Sequence, residues 1–316
     1  MRSWLSRWRR RRATAPAAPP WIDGLDAQDE AARAEDREAA RQIARAMHGH
    51  ALPPAGLERR ATAATHAARR RRPDELAEAI EGLPYPWALR LAERLAARPG
   101  LDRAGLGETA RRVVLETPGR DAALAALALL SLAPSPADVD LLERAARSAV
   151  GAPAAARVAG ALPGDAGRSA LLAVIRRAEG VGRALAIEER LRSRPPGDDA
   201  ALLLELTAGI DDPLDRAWAA VPLLEAIDPD ALLANRPDLA EALARAVEST
   251  ARGGWHGGPG PGLGRLPGSQ RAALCLLRGE VEAALRTRVA RAVVEAHPAA
   301  AGEVLRLADQ VLAAAD

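Results

Sequence analysis

The chain has 316 residues, of which 48% are hydrophobic but only 2% aromatic, and its formal net charge is +2. None of its 44 basic residues is a lysine, which excludes a GxxxxGK[ST] P-loop, the strand lysine of protein kinases and any Schiff-base lysine. The single cysteine, Cys275, excludes an internal disulfide and a paired-cysteine motif, and we expect a reducing, cytoplasmic location. The excess of arginine, alanine, glycine and proline is typical of a GC-rich bacterial genome.

Residues 1–22 are expected to form a disordered tail rich in arginine and proline. Residues 1–12 contain six arginines and no acid, whereas the remaining chain has 38 basic and 42 acidic residues. Arginines mixed with tryptophan suit an anionic membrane surface or nucleic-acid phosphates, and a solvated tail without a partner is the third interpretation. The candidate contact residues of this tail are Trp4, Trp8, Arg9, Arg10, Arg11 and Arg12.

Residues 23–251 are predicted to form a helical array. The first helix, Asp26 to Met47, is acidic in its first half, where the helix dipole favours negative charge. Short helical patterns separated by Pro and Gly then fill the chain, and no segment alternates in the manner of a strand. They cover 55–72, 74–82, 85–98, 103–116, 119–132, 136–149, 152–161, 166–179, 181–193, 198–209, 213–226, 229–250, 269–285, 287–296 and 298–314. We therefore predict an all-α fold in which short connections make neighbouring helices antiparallel.

An arginine-rich segment flanks the second helix. Its members are Arg59, Arg60, Arg69, Arg70, Arg71 and Arg72. Arg60 and Arg71 are 11 positions apart, a spacing that places them on one face of a continuous helix. The pattern allows a phosphate-binding stripe, or a charged face that pairs with the acidic helix at 26–38.

Four segments place an arginine before or within an Ala/Leu-rich helix: Arg120, Arg157, Arg183 and Arg216. Their spacings of 37, 26 and 33 residues lie close to the periods of helical repeats. The segment from Asp212-Pro213 through Arg216 to Leu223-Leu224 resembles a HEAT-repeat helix, and the likeness extends over about residues 117–250. The resemblance implies an irregular right-handed α-solenoid of antiparallel helix pairs, which acts as a scaffold for other proteins.

A second implication of the resemblance is nucleic-acid chemistry. Some DNA glycosylases for alkylated bases have HEAT-like arrays with a catalytic Asp in an Arg-rich, Trp-lined cleft. Asp211, Asp212, Arg216 and Trp218 could be compared with such a cleft only if they converge in an open concavity. A buried Trp218 and an Asp212 that caps a helix would count against this alternative.

Residues 252–268 (RGGWHGGPGPGLGRLPG) are predicted to be a Gly/Pro-rich loop before a C-terminal helical cap at 269–316. The loop lacks the strand and glycine spacing of a dinucleotide fingerprint. Ser269 is expected to cap the following helix, with Arg265 and Arg271 completing an anion site at its start. Trp255 and His256 would close over a ligand there. A surface loop without function is the other interpretation.

The sequence as a whole favours a non-catalytic interaction scaffold whose partner is another protein. No cofactor and no metal site are predicted, since His48-Gly49-His50 is not supported by further ligands. Cys275 is expected to be a buried structural thiol. Nucleic acid or an anionic membrane remains an alternative partner through the basic tail, in the second case as a peripheral adaptor.

Overall fold

The computed structural model describes Trp21 and residues 30–48, 56–117, 119–193, 195–251, 266–295 and 302–315. These residues form α-helices and three short 3-10 turns, and none of them forms a strand. The helices are α1 (Glu30–His48), α2 (Leu57–Arg70), α3 (Pro73–Ile80), α4 (Tyr85–Ala96), α5 (Arg103–Glu116), α6 (Arg120–Leu130), α7 (Val139–Ala145), α8 (Gly151–Ala161), α9 (Gly164–Arg177), α10 (Gly180–Ser193), α11 (Ala200–Ala208), α12 (Pro213–Ala226), α13 (Pro229–Asn235), α14 (Ala240–Ala251), α15 (Pro267–Arg278), α16 (Ala283–Glu295) and α17 (Gly302–Ala313). The all-α prediction is confirmed.

Two of the predicted helices are interrupted in the structure, each for a local reason. The segment predicted as one helix over 229–250 is divided between α13 and α14. Arg236 lies between them with an extended backbone, because the following Pro237 disfavours a helical conformation of the residue before it. The segment predicted over 269–285 ends at Gly279, and α16 begins four residues later.

The even-numbered helices form a row in which each packs on the next. The successive contacts are α2 with α4, α4 with α6, α6 with α8, α8 with α10, α10 with α12, α12 with α14, and α14 with α16. Most odd-numbered helices pack on the even-numbered helices before or after them in the chain. We call this succession the even row. The candidate arginines Arg120, Arg157, Arg183 and Arg216 lie on four consecutive members of it, α6, α8, α10 and α12.

Small residues let the helices of the row approach closely. A side chain added at Gly182 of α10 would place its Cβ 2.8 Å from the Cα of Ala149, just before α8. The core is built mainly from alanine and leucine, and eight consecutive residues of α6, from 123 to 130, are buried. An alanine core buries little area per side chain, so short interhelical distances are what give it close packing.

Helix α1 packs against members of the even row that do not adjoin it in the sequence. It packs on α10 and on α4, which are three members apart in the even row. Trp21, which precedes α1, is buried, and its indole Nε1 donates a hydrogen bond to the Val114 carbonyl at 3.2 Å. The 19 residues of α1 therefore reach from one member of the even row to another three positions along. Within the described residues, no helix has the length and apolar character needed to span a bilayer.

Candidate functional site

The first anchor of α1 is Asp36, which is buried against the segment that leads into α8. Its carboxylate accepts hydrogen bonds from the Ser148 hydroxyl at 3.0 Å and from the Ala149 backbone N–H at 2.5 Å. Burial raises the pKa of Asp36, and these hydrogen bonds partly offset that effect. The helix dipole of α8 favours a negative charge at this position. A carboxylate of α1 thus occupies an anion-binding helix start.

The second anchor is Arg41, which binds the start of α12. Its Nε donates to Asp215 Oδ1 at 2.9 Å, and its terminal nitrogen donates to Asp215 Oδ2 at 3.0 Å and to Asp212 Oδ2 at 2.9 Å. Asp215 is buried, and burial raises its pKa, while Arg41 opposes that effect. Because the two carboxylate oxygens receive separate N–H groups, the pair has the bidentate geometry that fixes orientation as well as distance.

Between these anchors, α1 presents a stripe of small apolar residues. Ala40 and Ala44 are fully buried, and Ala39 and Ile43 pack beside them. With Asp36 the stripe follows an i, i+4 spacing. Asp36, Ala40 and Ala44 therefore share the buried face of α1.

A charged cavity of about 630 Å³ lies under α1, at the starts of α10 and α12; we call it the α1 cleft. Its basic lining comes from Arg33, Arg37, Arg41, Arg147, Arg177 and Arg183, and its acidic lining from Asp36, Glu179, Asp211, Asp212 and Asp215. Arg147 and Arg177 are exposed and form no ion pair with another described residue. The six arginines and five carboxylates of this lining nearly balance in charge, and α1 itself supplies four of these eleven residues.

The residues singled out for a glycosylase cleft have structural roles. Asp212 caps α12 by accepting hydrogen bonds from the N–H groups of Leu214 and Asp215. Arg216 is buried and donates to the carbonyls of Ile210 and Asp211, and Trp218 is only 4% exposed. Asp211 and Asp212 line the α1 cleft, but the buried Arg216 and Trp218 do not, so the four side chains do not converge there, which counts against the glycosylase comparison.

The arginine-rich segment at 59–72 does not form a continuous stripe. The guanidinium of Arg60 donates hydrogen bonds to the carbonyls of Ala79 and Glu81, at 2.9 Å each. Arg71 lies beyond the end of α2 with a left-handed backbone, φ 52°, and pairs with Glu108 at 3.3 Å.

The remaining members of that segment are exposed. Arg70 and Arg72 each lie 3.9 Å from Glu75. Arg59 and Arg69 form no ion pair with a described residue. Between this segment and the described part of the acidic helix, residues 30–38, no ion pair forms; the observed partners, Glu75 and Glu108, belong to α3 and α5. Phosphate binding by this segment stays a prediction.

The anion site predicted at the start of the helix after the loop is occupied by the protein itself. Helix α15 begins at Pro267, and the N–H of Gly268 donates to the Glu225 carboxylate at 2.6 Å. Ser269 is not the cap that the sequence suggested: its hydroxyl is buried and has no hydrogen-bond partner among the described residues. Arg271 donates to the Glu225 carbonyl at 3.3 Å.

Several predicted contact residues lie outside the described residues. They are Trp4, Trp8, Arg9, Arg10, Arg11 and Arg12 of the tail, and Trp255, His256 and Arg265 of the Gly/Pro-rich segment. Cys275, by contrast, is described and buried, as predicted, and burial together with the nearby Asp230 raises its pKa to about 12.

Sequence analysis also missed a buried ionic network on α10. Glu189 accepts from Arg157 of α8 at 3.0 Å and from Arg192 at 2.7 Å. Arg190 donates to Asp199 at 3.0 Å, and the hydroxyl of Tyr85 on α4 is buried without a hydrogen bond to any part of the chain that the structure describes. The network joins α8, α10 and the turn before α11, which indicates a structural role.

The only signal in the sequence for the α1 anchors was Asp36 within an apolar i, i+4 stripe. No charge pattern linked Arg41 to Asp215, which lies 174 residues further along the chain. No family model matches this chain, and searches of curated proteins and of solved structures give no significant match.

Proposed function

We propose that the chain is a non-catalytic scaffold, a HEAT-like right-handed solenoid of antiparallel helix pairs, that binds a helical segment of another protein. The observation that carries the proposal is the way α1 lies on the even row. It is a helix bound through a small-residue stripe, with one polar anchor on each side of α10. A surface that holds one helix in this way has the features needed to hold a second helix with the same pattern.

The repeat character of the row supports the solenoid. Arg183 and Arg216 are each the fourth residue of their helix, and in each the Nε donates at 2.8 Å to a carbonyl of the preceding loop. Two consecutive even-numbered helices thus begin with the same arginine-to-carbonyl hydrogen bond. Stacked two-helix units of this kind bury a continuous core and leave extended surfaces for partners.

The partner segment has a defined chemistry. It carries an acidic residue for the α8 start, two small residues four positions apart, and an arginine for Asp212 and Asp215. Because α1 is joined covalently to the array, its effective concentration is high, and a partner must bind more tightly or arrive when α1 is released.

The test uses the full chain with Arg41→Glu, which places a carboxylate beside Asp212 and Asp215 and should release α1. A fluorescent peptide of residues 30–48 is titrated into it and followed by anisotropy. We expect saturable binding to the variant, at least tenfold weaker binding to the unaltered chain, and little binding of a peptide that itself carries Arg41→Glu.

Arg45→Glu is the matched control, because Arg45 is an exposed arginine on the same helix that pairs with Glu38 at 3.4 Å. Circular dichroism establishes that both variants keep their helix content. A folded Arg41→Glu chain that does not bind the peptide would contradict the proposal. Where Arg41→Glu fails to fold, Arg41→Gln gives the same comparison with a smaller perturbation.

A further inference from the structure

A second cavity lies among helices α13 to α16 and is not lined by residues of α1. It is an open groove of about 1000 Å³ between α13 and the start of α14 on one side and α15 and the start of α16 on the other. Its apolar lining includes Leu233, Leu274, Val281 and Leu285. We call it the C-terminal groove. Its size and apolar floor are those of a groove that receives side chains.

The rim of this groove is acidic, and ion pairs neutralise only part of its charge. Five carboxylates line it, against two arginines. Asp238 and Glu241 are paired with Arg236 and Arg288. The other three carboxylates, Asp230, Glu280 and Glu282, form no ion pair with any other described residue.

The two arginines at the groove already bind other groups of the protein. Arg278 pairs with Glu303, and Arg271 donates to the Glu225 carbonyl. The groove therefore offers negative charge around an apolar floor. A cationic segment with a few large apolar residues is the complementary ligand, since it gains both burial and electrostatic attraction.

The chain contains one such segment, residues 1–12, with six arginines and no acid. Trp4 and Trp8 are four positions apart and Leu5 adjoins Trp4, a spacing suited to one side of a helix bound in a groove. We propose that the C-terminal groove binds residues 1–12 of the same chain, with Trp4, Leu5 and Trp8 on the apolar floor and the arginines at the rim.

The connection is long enough for this arrangement. Trp21 is fixed beside Val114 and the start of α8, nine residues after the segment ends. Nine extended residues span about 30 Å. In the packing order α8 and α15 are separated by α10 and α12, and three helix pairs at 8–10 Å give roughly the same distance.

The experiment places the photo-crosslinking residue p-benzoylphenylalanine at position 4 of the full chain. Irradiation of the purified protein should give an intramolecular product, and mass spectrometry should map it to α13–α16. Glu280→Arg combined with Glu282→Arg should lower its yield at least tenfold. Glu78→Arg combined with Glu81→Arg is the matched control, because these are exposed acids at the C-terminal end of α3 without an ion pair to a described residue.

Three outcomes would overturn the proposal. The first is a crosslink that maps outside α13–α16 or decreases equally in both double variants. The second is a product with the mass of a dimer, which would assign the groove to the tail of a second copy. The third is the absence of the crosslink in a chain that binds duplex DNA or anionic vesicles through residues 1–12, which would assign the tail to those partners.

Discussion

Arg41 of α1 and Asp215 of α12 are joined by two hydrogen bonds of 2.9 and 3.0 Å, across 174 residues of sequence. Asp215 is buried, whereas Arg41 is 30% exposed. The pair thus fixes the position of α1 from the outside of the fold, with a cation that compensates a buried carboxylate. Through this pair, α1 is bound to the rest of the fold by contacts with residues distant in the sequence.

Removing this cation should destabilise the fold. We expect Arg41→Ala to lower the free energy of unfolding by about 2 kcal/mol, less than the loss of a fully buried pair, because Arg41 is partly solvated. The double variant with Asp215→Asn should recover part of the loss, since no buried charge is then left unpaired. Urea denaturation of the four proteins in the double-mutant cycle measures the coupling.

The control for that cycle is Arg45→Ala, which removes an exposed pair with Glu38 and should change the stability by about 0.5 kcal/mol or less. Equal effects of the two substitutions would show that Asp215 does not depend on Arg41.

The raised pKa of Asp36 gives a pH dependence with a definite sign. Because its pKa in the folded protein lies above the ordinary 3.8, the folded state binds this proton more tightly than the unfolded state. The contribution of Asp36 to stability therefore increases as the pH falls through the raised value toward 3.8, and is lost as the pH rises.

Asp36→Asn removes this titration but keeps an oxygen that can accept from Ala149. We expect the stability of the unaltered chain, relative to Asp36→Asn, to rise as the pH is lowered from 7 to 4. Guanidinium chloride denaturation at several pH values measures this difference. A difference that falls with decreasing pH would mean that hydrogen bonding, and not burial, dominates at Asp36.

Gly268 is held in a close approach between α15 and the end of α12. A Cβ at this position would lie 2.5 Å from the Glu225 nitrogen and would also meet the Leu224 carbonyl. Gly268→Ala should therefore force the start of α15 away and cost about 1–3 kcal/mol of stability. Thermal unfolding followed by circular dichroism measures the change.

Gly302 provides the matched comparison for Gly268, because it also lies at a helix start but has open space around its Cβ position. Gly302→Ala should leave the stability unchanged or raise it by up to ~1 kcal/mol, through the higher helix propensity of alanine. Similar losses at both positions would contradict the close approach at Gly268.

Cys275 should react slowly in the folded protein. Burial and Asp230 raise its pKa from 9.0 to about 12, so its thiolate fraction at pH 8 should fall by about 10³-fold. The rate of reaction with a disulfide reagent, compared in buffer and in urea, measures this. Asp230→Asn should accelerate the reaction of the folded protein, and no acceleration would show that burial acts alone.

The last two helices test the repeat architecture. Both α16 and α17 pack on α14, α15 or each other. Truncation after Arg278 should leave the remaining helices folded, with an unchanged helical signal per residue and a lower midpoint, because units of a solenoid depend on their neighbours alone. Collapse of the helical signal throughout would indicate a single cooperative core. Circular dichroism during urea titration separates the two.

The helices themselves were predictable from sequence because their signals are local. Predicted and observed bounds coincide for 103–116 and 213–226, where a capping aspartate precedes each helix, Asp102 in one case and Asp212 in the other. The arginine recurrence was also a local pattern, and its four members lie on consecutive helices of the even row. The apolar pattern predicted continuous helices through Pro237 and Gly279, but these two helix-breaking residues interrupt them.

The site could not be predicted in the same way, because its contacts join residues that are distant in sequence. Asp36 binds Ala149, and Arg41 binds Asp215, only once helix packing has brought these distant residues together. The Glu225 carboxylate, and not the Ser269 hydroxyl, accepts a hydrogen bond from the start of α15. This contact depends on the close approach of α12 and α15 at Gly268. Composition and periodicity determined an all-α chain with an alanine-rich core. Tertiary packing decided which charges are buried and paired, since desolvation depends on surroundings that no local pattern records.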